Sequence, residues 1–100
     1  MENDHHKNFN DLCNALVMLE TKEEAENFLR DLCTPSEIQS FVERWRVCKL
    51  LVNEQLSYRE ISRRTGASLT TIGRVARFLK DEKYQGYLTI LKKFKDVKNE

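Results

Sequence analysis

Apolar residues recur along most of the chain with the spacing of an α-helix. A first run that follows the i, i+3, i+4, i+7, i+8 rule contains Phe9, Leu12, Cys13, Leu16 and Val17. A second run with the same spacing contains Ala25, Phe28, Leu29, Leu32 and Cys33. No segment alternates with period two, and no Asn-Gly or Asp-Gly hairpin signal occurs. The pattern predicts an all-α protein.

Three helix starts are marked by sequences typical of a capping box, a Ser or Thr followed three residues later by Glu. These sequences begin at Thr21, Thr34 and Ser57. Pro35 occupies the first position of a helix, where its missing N–H costs nothing, and it ends the preceding helix near Leu32 or Cys33. We therefore expect two helices that join there with almost no linker.

The longest predicted helix runs from Pro35 to about Asn53 and is apolar on two faces. The first face contains Ile38, Phe41, Val42, Trp45, Cys48 and Val52, and the second contains Val47, Leu50 and Leu51. A helix that is apolar around much of its circumference must be covered on several sides. A second copy of the chain would supply that cover, and so would neighbouring helices of the same chain. A last helix is predicted from about Tyr84 to Lys95.

The segment SYREISRRTGASLTTIGRVARFLK, residues 57–80, contains two short amphipathic stretches separated by Thr-Gly-Ala. One helix starts at Tyr58, Gly66 is suited to a turn of positive φ, and Ser68 caps a second helix. This arrangement is typical of a helix-turn-helix. Its expected interior consists of Ile61, Thr65, Gly66, Ile72 and Val75, with Ser62 small enough for a close crossing.

The charges are unevenly distributed. Residues 1–40 hold three Lys/Arg and nine Asp/Glu, whereas residues 41–100 hold fourteen and seven. Residues 57–80 alone hold six Lys/Arg and one acid. A solvated surface would explain this asymmetry, and so would a basic half that meets nucleic acid.

Small and hydroxyl side chains at the start of the second helix would let its backbone enter a major groove, within a basic rim. The residues that this pattern assigns to DNA binding are Arg59, Arg63, Ser68, Thr70, Thr71, Gly73, Arg74 and Arg77, with Lys80 beside them. Arg74 would hold a phosphate or reach a base edge.

Composition and length limit the other possibilities. The 100 residues are 40% hydrophobic and 33% charged, which is typical of one folded domain, expected over residues 9–100 after a disordered tail at 1–8. No stretch is apolar enough to cross a membrane or to act as a signal. The three cysteines form no Cys-x-x-Cys and are expected as buried thiols in a reducing cytoplasm.

An enzyme is not expected. The two histidines, His5 and His6, are adjacent in the tail, and there is no Gly-rich phosphate loop or suggested nucleophile–base pair. We therefore expect no catalytic residues, no metal site and no cofactor.

The segments LCTPSEIQSFVERWRVCKLL and LSYREISRRTGASLTTIGRVARFLK resemble the Trp repressor superfamily, and more closely its TrpR-related YerC/YecD-type members. The resemblance covers the chain from about Phe9 onward. It implies a six-helix subunit, with the helices outside the helix-turn-helix intertwined across the two-fold axis of a homodimer. It also implies DNA contacts at Arg59, Leu69, Thr70, Thr71, Gly73 and Arg74.

By the same resemblance, an amino-acid pocket would use Thr34, Arg44 and Arg74. Val75 and Phe78 stand where the tryptophan-binding pattern has small residues. Tryptophan is therefore not expected as a corepressor. Phe78 would either fill the space as a wedge, or turn outward and leave room for a smaller carboxylate ligand. For Arg44 the alternative is a surface residue beside an acid of its own helix.

These observations predict a sequence-specific DNA-binding transcriptional regulator that acts as a homodimer, with repression as the expected mode. Its expected place is the cytoplasm of a prokaryote, associated with the nucleoid through double-stranded DNA. The alternative is a helical protein–protein interaction module that does not bind DNA directly. Salt dependence discriminates the two, because phosphate binding releases counterions and an apolar interface does not.

Overall fold

The structure is a computed structural model that describes the backbone of residues 2–98 and the side chains of residues 4–95. Over residues 2–98 the chain forms six helices and no strand. The helices are α1 (Glu2–Val17), α2 (Lys22–Leu32), α3 (Pro35–Asn53), α4 (Tyr58–Thr65), α5 (Leu69–Lys80) and α6 (Gly86–Lys98). The all-α prediction is confirmed, and α3 has the bounds that the sequence predicts.

The chain divides into two compact units, Met1–Ile38 and Gln39–Glu100. The single domain that the sequence predicts over residues 9–100 stays a prediction. The first unit contains α1, α2 and the start of α3. None of its described side chains is buried, and Phe9 remains 60% exposed. This unit therefore lacks an apolar core among its described residues.

Helix α1 begins at Glu2, within residues 1–8 for which the sequence predicts a disordered tail. Asp4 places a negative charge in the first turn, where it interacts favourably with the helix dipole. The helical spacing that begins at Phe9 thus continues a helix that has already started.

The second unit has a core built from α3, the helix-turn-helix and α6. Its buried cluster consists of Val47, Cys48, Ile61, Ala67, Ile72, Val75 and Leu79. The half-buried side chains packed against this cluster are Trp45, Leu50, Leu51, Leu56, Tyr87 and Leu91. The helix-turn-helix is therefore held from behind by the C-terminal half of α3 and by α6. Its buried interior contains the predicted Ile61, Thr65, Ile72 and Val75. Gly66, which the sequence also predicts as interior, is exposed, because it ends α4 at the turn.

The last helix starts later than predicted. Gln85 has a φ of 59°, a left-handed conformation that a helix interior does not accept, and α6 begins at the next residue. Tyr84, predicted as an apolar position of this helix, lies before it and is 71% exposed. Further along α6, the Phe94 ring meets the Trp45 ring of α3 at a centroid distance of 5.7 Å.

Candidate nucleic-acid interface

The first helix of the helix-turn-helix has clear chemical ends. Ser57 Oγ accepts the Glu60 N–H at 3.1 Å and caps the start of α4. The helix stops at Gly66, whose φ of 80° places it in the left-handed region that favours glycine. The Gly66 N–H donates to the Ser62 carbonyl at 2.9 Å. Both ends are where the sequence predicts them.

Side-chain hydrogen bonds then fix the turn between α4 and α5. Ser62 Oγ donates to the Ala67 carbonyl at 2.7 Å. Thr65 Oγ1 donates to the Ile61 carbonyl at 2.8 Å and accepts the Ala67 N–H at 3.1 Å. The sequence identified Ser62 only by its size and Thr65 only as an interior position. These bonds were missed, although Ser and Thr near a turn often bond to local backbone.

The tip of α5 presents short polar side chains. Ser68 Oγ accepts the Thr71 N–H at 3.1 Å, and the Ser68 and Thr71 hydroxyls bond to each other at 3.1 Å. Leu69 is 52% exposed at the first position of the helix, and Thr70 is exposed beside it. The first turn contains no acidic residue. The positive end of the helix dipole is therefore not neutralised by the helix itself.

Gly73 lies in the interior of α5, and a Cβ built at this position would meet no atom within 4 Å. The described part of the chain therefore supplies no packing reason for glycine there. Open space next to a helical glycine is what close approach of an external backbone requires.

The predicted DNA-contact residues are all accessible in the chain. The exposed members are Arg59, Arg63, Ser68, Leu69, Thr70, Arg74 and Arg77, and the half-buried members are Thr71 and Gly73. They lie in α4 and α5, which pack against each other as the helix-turn-helix, except Ser68, which caps the start of α5. These residues therefore lie on one supersecondary unit, and none of them is buried in its core.

The arginines of α4 differ from one another in their partners. Arg63 pairs with the Glu60 carboxylate through two nitrogens, and its Nε lies 2.9 Å from Glu60 Oε2. Hydrogen bonds from Arg63 and then Arg64 lower the pKa of the Glu60 carboxyl from its ordinary 4.5 to about 2. The bond to Glu60 also raises the pKa of Arg63. Glu60 therefore binds arginine instead of completing the predicted capping box at Ser57.

Arg64 forms ion pairs with two carboxylates of the same chain. Its Nη1 lies 3.2 Å from Glu54 Oε2, its Nε lies 3.2 Å from Glu60 Oε1, and Arg46 donates to its carbonyl at 3.0 Å. This residue was not among those predicted to bind DNA. The spacing of Glu60 to Arg63 and Arg64, three and four residues along a helix, is a sequence signal for these pairs that was not used.

The arginines of α5 stand over an aromatic ring. The Arg74 guanidinium carbon lies 4.3 Å from the centroid of the Phe78 ring, and that of Arg77 lies 5.3 Å from it. Arg77 also approaches Glu82, with Nε 3.6 Å from Oε1. Phe78 is half-buried, and the neighbouring Val75 is buried in the core.

The three residues implied for an amino-acid pocket each have an internal role. Thr34 caps α3, since its Oγ1 accepts the Glu37 N–H at 3.2 Å and its own N–H donates to Glu37 Oε1 at 2.8 Å. The Arg44 guanidinium carbon lies 5.7 Å from the Phe41 ring centroid. Burial raises the pKa of the Tyr87 phenol, and the nearby Arg44 and Arg74 partly oppose that rise. Ligand binding at these residues stays a prediction.

The described residues contain no group of three His, Cys, Asp or Glu side chains placed to hold a metal ion. Burial raises the pKa of the Cys48 thiol to about 11, so this cysteine is protonated and unreactive near neutral pH. Cys13 and Cys33 are half-buried rather than buried. No described helix combines the length and apolar character needed to span a bilayer.

Known proteins share the sequence pattern and the fold of this chain. The sequence model of the Trp repressor protein family matches residues 7–95. The chain belongs to the Trp repressor family. The uncharacterized protein YerC of Bacillus subtilis (strain 168) is 42% identical over 73 residues, which are 73% of this chain and 69% of YerC.

Solved structures agree with this membership. A TrpR-like protein from Eubacterium eligens ATCC 27750 is 35% identical, covers 88% of this chain and 89% of its own, and superposes with a TM-score of 0.80. A protein from Staphylococcus aureus with a known crystal structure is 36% identical to this chain. The match covers 89% of this chain and 87% of that protein, with a TM-score of 0.81. The predicted Trp-repressor-like fold and YerC-type relationship are thereby confirmed. The family is one of regulators rather than enzymes.

Proposed function

We propose that this protein is a sequence-specific DNA-binding transcriptional regulator that acts as a homodimer on double-stranded DNA. The observation that carries the proposal is the tip of α5. Its small polar side chains, its acid-free first turn and the open space at Gly73 suit insertion into a major groove. Family membership supports the same conclusion. Such a regulator would act in the cytoplasm at the nucleoid.

Direct contacts would be divided between the two helices of the unit. Arg59 and Arg63 in α4 would hold phosphates and set the register on the duplex, whereas Thr70 and Thr71 in α5 would meet base edges. Arg74 has no carboxylate partner among the described residues, so its hydrogen-bond donors are available to DNA.

The experiment is selection of bound fragments from random DNA, followed by fluorescence anisotropy of the selected site at several salt concentrations. We expect tight binding that weakens linearly with the logarithm of salt concentration. A triple Arg→Ala variant at Arg59, Arg63 and Arg74 should lose this binding. The matched control replaces Arg30, Lys92 and Lys93 by Ala, which removes the same charge outside the helix-turn-helix.

Equal binding by the parent chain and a folded triple variant at α4 and α5 would refute the DNA-binding proposal. Loss of binding in the control triple alone would place the contact surface elsewhere. A partner interaction insensitive to salt would favour the alternative of a protein-binding helical module.

Exposed apolar side chains support the homodimer. They occur in both units and include Phe9, Val17, Met18, Leu32, Phe41, Val42, Val52, Leu88, Ile90 and Phe94. Phe41 and Val42 belong to the apolar face of α3 that the sequence predicts to be covered, yet they are 46% and 44% exposed in the single chain. A second copy would cover such surface, which monomers seldom leave open. Sedimentation showing a stable folded monomer at low micromolar concentration would contradict this proposal.

We further propose that DNA binding does not require tryptophan. Arg74, one of the residues implied for the corepressor pocket, already stands over the Phe78 ring of its own helix. A bound indole would have to compete with this internal aromatic group for the guanidinium face.

A further inference from the structure

Phe78 has an unusual place for a large apolar residue of this unit. It lies at the C-terminal end of α5 and is half-buried. The half-buried apolar side chains that pack against the core cluster lie at other positions, from Trp45 to Leu91, and Phe78 is not one of them. Core packing within the described chain therefore does not explain why this position carries an aromatic ring.

Two guanidinium groups lie close to the Phe78 ring. Arg74 precedes it by four residues, one turn of helix, and its guanidinium carbon is 4.3 Å from the ring centroid. This distance is well inside the range of a cation–π contact. Arg77 stands farther from the ring, at 5.3 Å, and also approaches Glu82.

The two ways of holding an arginine have opposite consequences for DNA binding. Glu60 binds Arg63 through its N–H groups, so a phosphate must displace the carboxylate to use the same donors. An aromatic ring instead binds the face of the guanidinium, and the five N–H donors lie in the plane of that group. The contact with Phe78 therefore restricts the Arg74 side chain without engaging its donors with a carboxylate.

We propose that Phe78 is a positioning residue that orders the Arg74 guanidinium for DNA before DNA arrives, without a bound small molecule. The inference rests on the proposed function, because Arg74 matters here as a DNA contact. A long arginine side chain loses rotamer freedom when it binds. Phe78 already restricts the Arg74 rotamers in the free protein, so Arg74 loses less side-chain entropy when it binds DNA.

The test is a double-mutant cycle measured by fluorescence anisotropy on the selected DNA site. Phe78→Leu keeps an apolar side chain and removes the ring. We expect this variant to bind DNA with a Kd about two- to fivefold higher than that of the parent, which is the range for an exposed cation–π contact. Phe78→Tyr keeps the ring face and should bind within about twofold of the parent. In an Arg74→Ala background, Phe78→Leu should have no further effect. Phe78→Met replaces Phe78→Leu if the latter does not fold.

A second measurement examines the stacking without DNA. The Arg74 Nε–H resonance should carry a ring-current shift in the parent and in Phe78→Tyr, and should lose it in Phe78→Leu. Sedimentation and thermal unfolding confirm that each variant keeps the fold and the oligomeric state of the parent.

The outcomes separate the two proposals. If the parent binds no DNA under any condition, the proposed function fails, and this inference fails with it. If the parent binds DNA but Phe78→Leu costs the same in both Arg74 backgrounds, Phe78 acts through the fold and only this inference is overturned. This inference is also overturned if Phe78→Leu binds DNA as tightly as the parent. The same holds if the Arg74 Nε–H resonance does not shift when the ring is removed.

Discussion

Replacing Gly73 by alanine should stabilise the folded protein and at the same time weaken its binding to DNA. Glycine in a helix interior costs about 1 kcal/mol relative to alanine, because it loses more backbone entropy on folding. Gly73 lies well inside α5, and an added Cβ would meet no atom within 4 Å. Gly73→Ala should therefore raise the free energy of unfolding by about 1 kcal/mol, which corresponds to about 4–8 °C in Tm.

The same methyl group should obstruct DNA. If the α5 backbone approaches the duplex at Gly73, the Cβ enters a close-packed contact, where an extra carbon typically costs about 1–3 kcal/mol. That cost corresponds to about a five- to 150-fold increase in Kd. Circular dichroism melts give the stability change, and fluorescence anisotropy on the selected site gives the affinity change.

Gly86→Ala is the matched control. A Cβ at Gly86 also meets no atom within 4 Å, but Gly86 begins α6, outside the helix-turn-helix. We expect Gly86→Ala to bind DNA like the parent. A Gly73→Ala protein that is more stable and binds DNA unchanged would show that DNA does not approach this backbone. A less stable Gly73→Ala protein would refute the packing argument itself.

The remaining predictions concern charge, ligand and assembly. Glu60→Gln should free Arg63, tighten binding to random-sequence DNA and steepen its salt dependence, as anisotropy titrations would show; an unchanged slope contradicts it. The pKa of Glu60 falls from 4.5 to about 2 on folding, so its pairs stabilise the protein above pH 4.5. That stability should fade as the pH drops from about 4.5 to 2, and acid melts of Glu60→Gln should lack this component. Calorimetric titration with millimolar L-tryptophan should give no heat, whereas micromolar binding that tightens DNA affinity would refute the proposal that DNA binding does not require tryptophan. The Tm should rise with protein concentration, as coupled folding and dimerisation require, and a constant Tm would contradict the homodimer.

Local sequence signals predicted the helix-turn-helix closely. Ser57, Gly66 and Ser68 each act through neighbours within four residues, so their roles follow from short-range chemistry. Most of the interior of the unit was also predictable, because Ile61 and Thr65 in α4, and Ile72 and Val75 in α5, have helical spacing. Here propensity, turn chemistry and apolar pattern all indicate the same structure.

The sequence was less informative where several local partners compete. Glu60 is spaced to complete a capping box with Ser57 and also to pair with Arg63 and Arg64, and the structure shows the second choice. The left-handed residue before α6 is Gln85 and not a glycine, so the sequence does not indicate that the helix begins only after it. The Arg64–Glu54 pair joins side chains ten residues apart, one in α4 and one in the loop before it, so helical spacing does not predict it.

The basic charge of the helix-turn-helix therefore overstates its free hydrogen-bonding capacity. All six cations of residues 57–80 contribute to the long-range field that steers a duplex toward the protein. Three of them, Arg63, Arg64 and Arg77, already face carboxylates of the same chain. A phosphate gains less from these three, because it must first displace Glu60, Glu54 or Glu82, and the freed carboxylate then recruits its own counterion. The logarithm of the binding constant falls by about 0.9 units per neutralised phosphate for each tenfold rise in salt. The salt slope should therefore follow mainly Arg59, Arg74 and Lys80, which have no carboxylate partner among the described residues, and Arg63 should contribute less. Sequence discrimination is then left to the tip of α5, where charge is absent and short side chains let the backbone come close.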